Sequence, residues 1–392
     1  MNLEQIEEKG SKNLFQNYGR MSIAFSHGQG AYLYDTEGKE YLDLVAGIAV
    51  NSIGHSHPAW VKAVSEQAAK LCHVSNLYHI QEQALLAESL ASIAPDGLCR
   101  SLFVNSGAEA NEAALKLAVK HTGKKRIVSA MDSFHGRTAA ALGATGQTKY
   151  QSGFRSLISD VFHYFPFGDP EALKEAMDKD TAALLLEPIQ GESGVRTAST
   201  EFFHTARDLC DELGALLIMD EVQTGIGRTG EWFGCNHHDV LPDIISVAKG
   251  LGGGFPIGAI ISTDELSATF GPGAHGTTFG GSPLACASAS AVLSIILEEG
   301  LVGNAARVGG RILQGLAALQ HPDIIEVRGQ GLMIGLEMKS LAKPFQDFAL
   351  QQGVLVNVCH GNVVRLVPPL NIGREEADRF LALIQGFLAE NP

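Results

Sequence analysis

Residues 215–230 read ALLIMDEVQTGIGRTG, and this stretch decides the fold class because a fully apolar run ends abruptly at an acidic residue. Ala215–Met219 has the length and composition of a buried strand, and Asp220 follows at its carboxyl end. Ligands collect at the carboxyl ends of strands in open α/β sheets, so Asp220 is a candidate to pair with a buried cation such as a protonated ring nitrogen. Considered alone, Asp220 fits a helix-capping or turn aspartate equally well.

Apolar runs of similar length recur on both sides of this stretch, and amphipathic segments separate several of them. Two such segments place small or apolar side chains on one helical face, the first from Ala110 to Ala118 and the second from Phe202 to Leu213. Alternation of this kind favours an α/β fold, in which a mostly parallel sheet is covered by helices on both faces. The predicted strands are Ser101–Val104, Arg126–Ala130, Ala182–Leu186, Ala215–Met219, Ile244–Val247 and Gly258–Ser262.

The two ends of the chain differ from its middle. Residues 31–44 tend to alternate between apolar and other residues, as short antiparallel strands do. The stretch from about Ala291 contains helices and two strand candidates, Gly331–Met338 and Val363–Val367. We therefore predict a large domain over residues 55–290.

Composition limits the classes of function open to a chain of 392 residues, which is long enough for two cores. The formal net charge of −14 argues against nucleic-acid binding as the main activity, although it leaves room for a local basic pocket. The six cysteines form no C-x-x-C pair, and His55 and His57 lack further ligands, so no metal site is predicted. The polar N-terminal segment and the lack of a long apolar run predict a cytoplasmic protein without a membrane partner.

A second chemical signal lies in LFVNSGAEANEAALKLAVKH, residues 102–121. A predicted strand ends at Val104, a Ser-Gly turn follows, and a helix is predicted to start near Ala108. Free backbone N–H groups at a helix start attract anions, so Ser106 and the bare backbone of Gly107 could wrap a phosphate. Considered alone, such a serine is more often only a helix cap and such a glycine only a turn residue.

A third signal lies in IISVAKGLGGGFPIG, residues 244–258, where Lys249 follows a predicted strand and precedes a glycine-rich stretch. A lysine at a strand end in a shielded pocket loses its proton more easily, and the neutral amine is a nucleophile. Most lysines considered singly are ordinary solvated residues. A phosphate cradle, a carboxylate for a ring nitrogen and an amine for an aldehyde are together what pyridoxal phosphate requires.

The glycines Gly225, Gly227 and Gly230 match G-x-G-x-x-G, which raises the alternative hypothesis of a nicotinamide-dependent oxidoreductase. The surrounding sequence argues against it. Five residues separate the predicted strand from the first glycine, and no apolar helical period follows Gly230.

Ordered blocks of sequence extend along nearly the whole chain. They include LDLVAGIAVNSIGHSHP at 42–58, NSGAEANE at 105–112, SFHGRT at 133–138, LEPIQGESGV at 186–195, AKGLGGGFPIGA at 248–259, HGTTFGG at 275–281 and VRLVPPL at 364–370. In identity and order they resemble the class III (ornithine-type) aminotransferases of pyridoxal-phosphate fold type I. The resemblance implies that residues 1–54 and 291–392 form a smaller α+β domain together, beside the large domain.

The resemblance also implies pyridoxal 5′-phosphate as the cofactor, with Lys249 and Asp220 as catalytic residues. Lys249 would bond covalently to the cofactor and, once released by the substrate amine, carry a proton between substrate and cofactor. Asp220 would keep the pyridine nitrogen protonated, Gln223 would hydrogen-bond the phenolic oxygen, and Phe134 would stack on the ring. Thr278 would reach the phosphate of the neighbouring subunit, in a homodimer with a shared active site. The implied cofactor-binding positions are Ser106, Gly107, Ala108, Phe134, Asp220, Glu221, Val222, Gln223, Lys249 and Thr278.

Two arginines resemble the family's carboxylate binders, because bidentate pairing suits the two carboxylates of glutamate and 2-oxoglutarate. Arg137 resembles the binder of the α-carboxylate, and Arg365 resembles the binder of the distal carboxylate. Glu192 resembles the glutamate that pairs with Arg365 when the amine donor has no distal carboxylate. Thr277 and Tyr18 resemble further substrate contacts.

The activity implied by the resemblance is transamination of N2-acetyl-L-ornithine with 2-oxoglutarate, giving N-acetyl-L-glutamate 5-semialdehyde and L-glutamate in arginine biosynthesis. Ile48 supports an acylated donor, because ornithine enzymes of the animal type tend to have tyrosine there and an apolar side chain offers no partner for a free α-amino group. Alternative donors are succinyl-diaminopimelate, succinylornithine, ornithine and 4-aminobutyrate. An internal aminomutase needs no dicarboxylate partner, so Arg365 and Glu192 argue against it.

Overall fold

The computed structural model describes residues 1–392 and contains seventeen strands in four sheets, with fourteen α-helices. The strands are β1 Phe25–Gln29, β2 Tyr32–Asp35, β3 Glu40–Asp43, β4 Arg100–Val104, β5 Arg126–Ala130, β6 Phe162–Phe165, β7 Thr181–Leu186, β8 Ile189–Gln190, β9 Arg196–Thr197, β10 Leu216–Asp220, β11 Ile244–Val247, β12 Gly258–Ser262, β13 Ile324–Gln330, β14 Met333–Met338, β15 Val354–Leu355, β16 Asn357–Cys359 and β17 Val363–Leu366. The helices are α1 Leu3–Asn13, α2 Ala46–Ala49, α3 Pro58–Lys70, α4 Gln81–Ile93, α5 Gly107–Thr122, α6 Ala139–Ala144, α7 Thr148–Gln151, α8 Pro170–Ala176, α9 Thr200–Leu213, α10 Asp264–Ser267, α11 Pro283–Glu298, α12 Leu301–Ala317, α13 Ala342–Gln351 and α14 Arg374–Glu390. Short 3₁₀ turns cover Arg155–Leu157, Gly234–His238 and Lys249–Leu251.

The seven-stranded sheet has the order β4-β12-β11-β10-β7-β5-β6, and all neighbouring pairs are parallel except the two that β12 makes. The six predicted strands overlap six of these to within one residue at each end. The seventh, β6, was missed because this edge strand is mostly half-buried and its sequence, FHYF, contains no continuous apolar run. The prediction of a mostly parallel central sheet is confirmed.

Helices cover both faces of this sheet, which confirms the predicted α/β class. Successive side chains of a strand point to opposite faces, and along β7 Leu184 packs into a cluster with α9 while Leu185 packs into another with α5. The helical face from Ala110 to Ala118 is buried as predicted. Each fully buried leucine contributes about 2 kcal/mol relative to exposure, so both faces stabilise the fold.

Strands from the two chain ends meet in one sheet. β3 pairs in parallel with β15, although more than 300 residues separate them, and β2 pairs antiparallel with β3 as residues 31–44 predicted. The predicted strand Gly331–Met338 begins only at Met333, because Gly331 forms a turn with a positive φ of 53°. We propose the division into residues 55–290 and a smaller unit from both ends, and the shared sheet supports it.

The long helices α11 and α12 follow the central sheet, and α11 packs against α3 and α4. No single helix is long and apolar enough to cross a membrane, whereas α11 and α12 pass that test together, as a pair bent by 64°, on length and composition alone.

Candidate active site

A cavity of about 470 Å³ lies where the carboxyl ends of the parallel strands β4, β5, β7, β10 and β11 meet. This volume is in the range of ordinary small-molecule sites, and the position is the one expected for ligands of open α/β sheets. Nine of the predicted site residues line the cavity: Ser106, Gly107, Ala108, Phe134, Arg137, Asp220, Val222, Gln223 and Lys249.

The first turn of α5 forms one end of the cavity. Ser106 caps the helix, and its Oγ accepts a hydrogen bond from the Glu109 N–H at 3.2 Å. A Cβ at Gly107 would lie 2.8 Å from Val222 Cγ1, and a Cβ at Gly136 would lie 2.7 Å from Ala108 Cβ. The close packing excludes larger residues at 107 and 136, so backbone amides rather than side chains would face an anion at this helix start.

Asp220 lines the same cavity, at the carboxyl end of β10. Its Oδ2 accepts hydrogen bonds from Asn111 Nδ2 and His135 Nδ1, both at 2.7 Å. Its Oδ1 accepts one from the Val222 N–H at 3.1 Å. Because each carboxylate oxygen can accept two hydrogen bonds, Oδ1 keeps capacity for a protonated ring nitrogen.

Lys249 follows β11 in a left-handed backbone conformation, with φ of 41°. Such a conformation costs a residue with a Cβ on the order of 1–3 kcal/mol, so the surrounding structure imposes it. Burial lowers the pKa of Lys249, and the opposing charge of Glu192 only partly offsets this effect. The neutral, nucleophilic amine is therefore more accessible here than at an exposed lysine.

An ion pair between Arg365 and Glu192 lies just behind the cavity wall. Arg365 Nη1 donates to Glu192 Oε1 at 2.7 Å, to the Gly191 carbonyl at 3.0 Å and to Gln223 Oε1 at 3.2 Å. Burial is the largest single influence on Glu192 and would raise its pKa, but the charge and hydrogen bond of Arg365, together with the charge of Lys249, outweigh it and the pKa is lowered. Gln223 lines the cavity and thus connects this ion pair to whatever occupies it.

The two predicted carboxylate binders lie in different parts of the site. The charges of Glu192 and Arg365 both act on the Lys249 amine, so this pair lies near the reactive nitrogen. Arg137 is exposed, and its guanidinium carbon stacks 4.1 Å from the centroid of the Tyr150 ring. From this placement we propose the reverse of the predicted assignment, with Arg365 binding a carboxylate beside the reacting carbon and Arg137 binding one farther away.

Phe134 is part of the cavity lining, and a buried carboxylate holds its backbone. Glu187 Oε2 accepts a hydrogen bond from the Phe134 N–H at 3.1 Å, and Oε1 accepts one from the Gly191 N–H at 3.4 Å. Burial raises the pKa of Glu187 to about 7. Glu187 lines the same cavity, so the site contains a carboxyl group that titrates near neutrality.

Glu221 is the one predicted cofactor contact between Asp220 and Gln223 that does not line the cavity. Its carboxylate faces away from the cavity, where it accepts hydrogen bonds from the backbone N–H groups of Gly234 and Cys235, both at 2.8 Å, and from the Thr224 hydroxyl. These three donors hold the carboxylate on that side of the turn. Glu221 therefore fixes the turn after β10 and does not line the cavity.

Three further predicted contacts, Thr277, Thr278 and Tyr18, do not line the cavity of their own chain. Thr277 Oγ1 accepts a hydrogen bond from Asn105 Nδ2 at 3.0 Å, Thr278 is exposed, and Tyr18 is 69% exposed. Ile48, the specificity position, is likewise outside the cavity, with 40% exposure and a positive φ of 64°. A single chain does not bring these residues to the site.

Two residues that motif reasoning did not single out hold Asp220 in place. Asn111 donates to Asp220 and accepts a hydrogen bond from Ser246 Oγ at 2.7 Å. His135 donates from Nδ1, while its buried Nε2 has no partner. In the sequence, Asn111 is only a single amide among the alanines of α5, and His135 is only a histidine beside Phe134. Neither pattern identifies Asp220 as the partner, because it lies 109 residues from Asn111 and 85 residues from His135.

The glycines of the G-x-G-x-x-G match have a packing role. Gly227 and Gly230 adopt φ of 85° and 89°, and no helix begins after them. A Cβ at Gly230 would lie 2.9 Å from Ala306 Cβ of α12. These glycines allow a turn to approach a helix closely, which is unlike the dinucleotide fingerprint.

Residues 15–388 match the family model described as aminotransferase class-III. The chain belongs to this family. It is 48% identical over 382 residues to the acetylornithine aminotransferase of Methanosarcina acetivorans, covering 97% of this chain and 96% of that protein. It is 46% identical over 391 residues to the acetylornithine aminotransferase of Streptomyces coelicolor, covering 99% of this chain and 96% of that protein.

Solved structures agree with this class III assignment. The ornithine aminotransferase of Toxoplasma gondii matches with a TM-score of 0.95 and 32% identity, covering 100% of this chain and 96% of that one. The acetylornithine aminotransferase of Elizabethkingia anophelis matches with a TM-score of 0.88 and 33% identity, covering 100% of both chains. The chain is therefore an aminotransferase of fold type I, and its cofactor is pyridoxal phosphate.

The polar groups around the cavity fit the chemical groups of this cofactor. The start of α5 offers amides for a phosphate, Asp220 offers an acceptor for a cationic nitrogen, and Lys249 offers an amine. The cofactor and the resemblance to this family were predicted correctly from the ordered blocks, whereas the individual residue roles remain predictions.

Proposed function

We propose that this aminotransferase transfers the amino group of N2-acetyl-L-ornithine to 2-oxoglutarate, giving N-acetyl-L-glutamate 5-semialdehyde and L-glutamate. Relatives named acetylornithine aminotransferase, at 45–49% identity over nearly the whole chain, support the donor. The observation that carries the proposal is the Arg365–Glu192 ion pair, at 2.7 Å, close to Lys249.

That ion pair suits one pocket to two different substrates. Acetylornithine reacts at its terminal amine and has no carboxylate beside the reacting carbon, so Glu192 neutralises Arg365 while this donor is bound. 2-Oxoglutarate has a carboxylate beside its keto carbon, and Arg365 can release Glu192 to bind it. Both substrates carry another carboxylate several bonds away, which we assign to Arg137.

Pyridoxal phosphate supplies an aldehyde that bonds to amines and a cationic ring that withdraws electrons from the reacting carbon. We assign phosphate binding to Ser106, Gly107 and Ala108 at the start of α5. Asp220, oriented by Asn111 and His135, would hold the ring proton.

Lys249 would form the covalent bond and then, as a free amine, move the proton at the substrate carbon. Burial favours the neutral form that can accept this proton. Gln223 Oε1 already accepts from Arg365, so its Nε2 is the group left to donate to the ring oxygen. Phe134 would cover one face of the ring.

The donor is tested by side-by-side kcat/KM measurements for acetylornithine, succinyl-diaminopimelate, ornithine and 4-aminobutyrate, each with 2-oxoglutarate. We expect acetylornithine to be preferred. A clear preference for free ornithine would overturn the proposal and the argument from Ile48.

We also propose a homodimer with shared active sites. Leu77, Tyr78 and Phe279 are 84%, 66% and 63% exposed, and a hydrogen bond from Asn76 Nδ2 to the Gly280 carbonyl at 3.0 Å joins the two segments that carry them. A second copy covering this surface would bring Thr278 to the partner's phosphate site. In sedimentation, Phe279→Glu should behave as a monomer, and this variant should also bind the cofactor more weakly. A monomeric wild-type protein would refute the dimer.

The proposed location is the cytoplasm. All six cysteines are free, as is usual in a reducing compartment.

A further inference from the structure

We propose that Tyr150 is a positioning residue for Arg137, and that its ring holds the guanidinium in place to receive the carboxylate remote from the reacting carbon. The inference rests on the proposed function, because it assumes substrates that carry such a carboxylate. Neither the sequence motifs nor the family blocks single out Tyr150.

The geometry is that of a cation stacked on an aromatic pair. The Arg137 guanidinium carbon lies 4.1 Å from the Tyr150 ring centroid and 5.5 Å from the Phe134 ring centroid. The two rings meet edge to face, with centroids 5.5 Å apart and planes at 80°. A cation within about 6 Å of a ring centroid is attracted to the ring face, and arginine is the cation most often found there.

Arg137 depends on this stacking because it has no other fixed partner. It is exposed and forms no salt bridge within 4.0 Å. A free arginine side chain samples many rotamers, and a substrate that binds it must overcome that freedom. Stacking restricts the guanidinium beforehand while its N–H edge stays available, so a carboxylate meets a preorganised binder.

Tyr150 itself has a rigid support. It lies in the short helix α7, between two glutamines that are almost fully buried. Gln147 Nε2 donates to the Ser133 carbonyl at 3.0 Å, and Gln151 Nε2 donates to the Thr145 carbonyl at 2.9 Å. Ser133 directly precedes Phe134, so both rings of the pair are fixed to one another through the same backbone.

The ring has a second cationic neighbour, Lys149, whose Nζ lies 4.8 Å from the centroid. Lys149 is exposed and does not line the cavity. Arg137 is the closer cation and the one that faces the site, so the functional effect of removing the ring should act through Arg137.

The experiment measures binding and half-reactions of the holoenzyme with Tyr150→Leu. We expect the Kd for glutarate, and the KM for both glutamate and acetylornithine, to rise about three- to tenfold, since a cation–π contact of this kind is worth about that factor. Single-turnover reaction with alanine, which has no remote carboxylate, should change less than about twofold. Tyr150→Phe keeps the ring and should recover most of the affinity.

Two controls separate positioning from general damage. Phe154→Leu makes the same kind of change at a half-exposed ring outside the cavity and should leave glutarate binding unaltered. In an Arg137→Leu background, Tyr150→Leu should add little further loss, because the ring acts through the removed cation.

Several outcomes would overturn the inference: an unchanged glutarate Kd in Tyr150→Leu, an equal loss with alanine, or losses that add fully in the double variant. If Tyr150→Leu does not fold, Tyr150→Met takes its place in the same cycle. Failure of acetylornithine as a donor would refute the proposed function alone, because glutarate and glutamate still test Tyr150.

Discussion

Replacing Glu192 with glutamine should tighten dicarboxylate binding, which is the reverse of the usual result of removing a charge from an active site. In the resting structure Arg365 already has a carboxylate partner at 2.7 Å. A dicarboxylate ligand must therefore break one ion pair to form another. Weakening the first pair lowers that cost, and the affinity for the ligand rises.

The size of the effect follows from the surroundings of the pair. Two unit charges about 4 Å apart interact by about 4 kcal/mol at an effective dielectric constant near 20. Arg365 is 1% exposed, but the Glu192 side chain is 24% exposed and partly screened by solvent. Solvent screening at Glu192 reduces the ion-pair interaction to roughly 2.4 kcal/mol. Glutamine would keep a neutral hydrogen bond worth about 1 kcal/mol, so the net change is about 1.4 kcal/mol, or about tenfold in Kd.

The assay is calorimetric titration of the holoenzyme with glutarate. Glu192→Gln should bind glutarate about tenfold more tightly than wild type, while kcat/KM for acetylornithine falls because Arg365 is left uncompensated beside a donor without an adjacent carboxylate. Glu326→Gln is the matched control, since Glu326 pairs with Arg328 away from the cavity. An unchanged or weaker glutarate Kd in a folded Glu192→Gln variant would refute the competition between Glu192 and the ligand.

Three further predictions concern the same cavity. Borohydride reduction of the holoenzyme should attach the cofactor permanently to Lys249, which peptide mass spectrometry would detect, and cofactor attached to another lysine would contradict the prediction. Lys249→Ala should lower kcat by at least about a thousandfold. Glu187 has a folded pKa of about 7, above its ordinary value, so the folded protein binds that proton more tightly and the free energy of unfolding should fall as pH rises from about 4.5 to about 7. The fall should be at most about 3 kcal/mol by urea unfolding, and Glu187→Gln should flatten it; an identical slope in the variant would contradict the assignment. Gly191→Ala would place a Cβ 2.3 Å from Gln223 Oε1, so the Gln223 side chain would have to move. The glutarate Kd should therefore rise, while the free energy of unfolding should change by less than about 1 kcal/mol. Unchanged glutarate binding would contradict this prediction and show that Gln223 moves freely.

The central sheet was predictable because its strands are buried on both sides. Mostly apolar runs of four or five residues, such as Ile244–Val247, fit a buried strand and little else, so their predicted bounds agree with the structure to within one residue. β6 was not predicted because its sequence, FHYF, contains no continuous apolar run. The turn at Gly331 was not predicted because it depends on a close approach to residue 229, about a hundred positions earlier in the chain.

The site residues were predictable only where a short stretch of sequence by itself indicates the chemistry. A strand end followed by Asp220, or a Ser-Gly turn before a helix, can be found by pattern alone. The orientation of Glu221 could not be predicted in this way, because it depends on hydrogen bonds from the backbone N–H groups of residues 234 and 235, which the fold places beside it. The order of Arg137 and Arg365 relative to Lys249 likewise depends on tertiary placement, which no spacing records.

The left-handed backbone at Lys249 has a consequence for engineering. A glycine would adopt φ of 41° without steric cost, so Lys249→Gly should abolish catalysis and yet relieve on the order of 1 kcal/mol of backbone strain. Laboratory selection for thermostability alone would then favour replacement of the most important side chain in the enzyme. Natural selection for turnover keeps a lysine there, and the chain trades some robustness for activity at that one position.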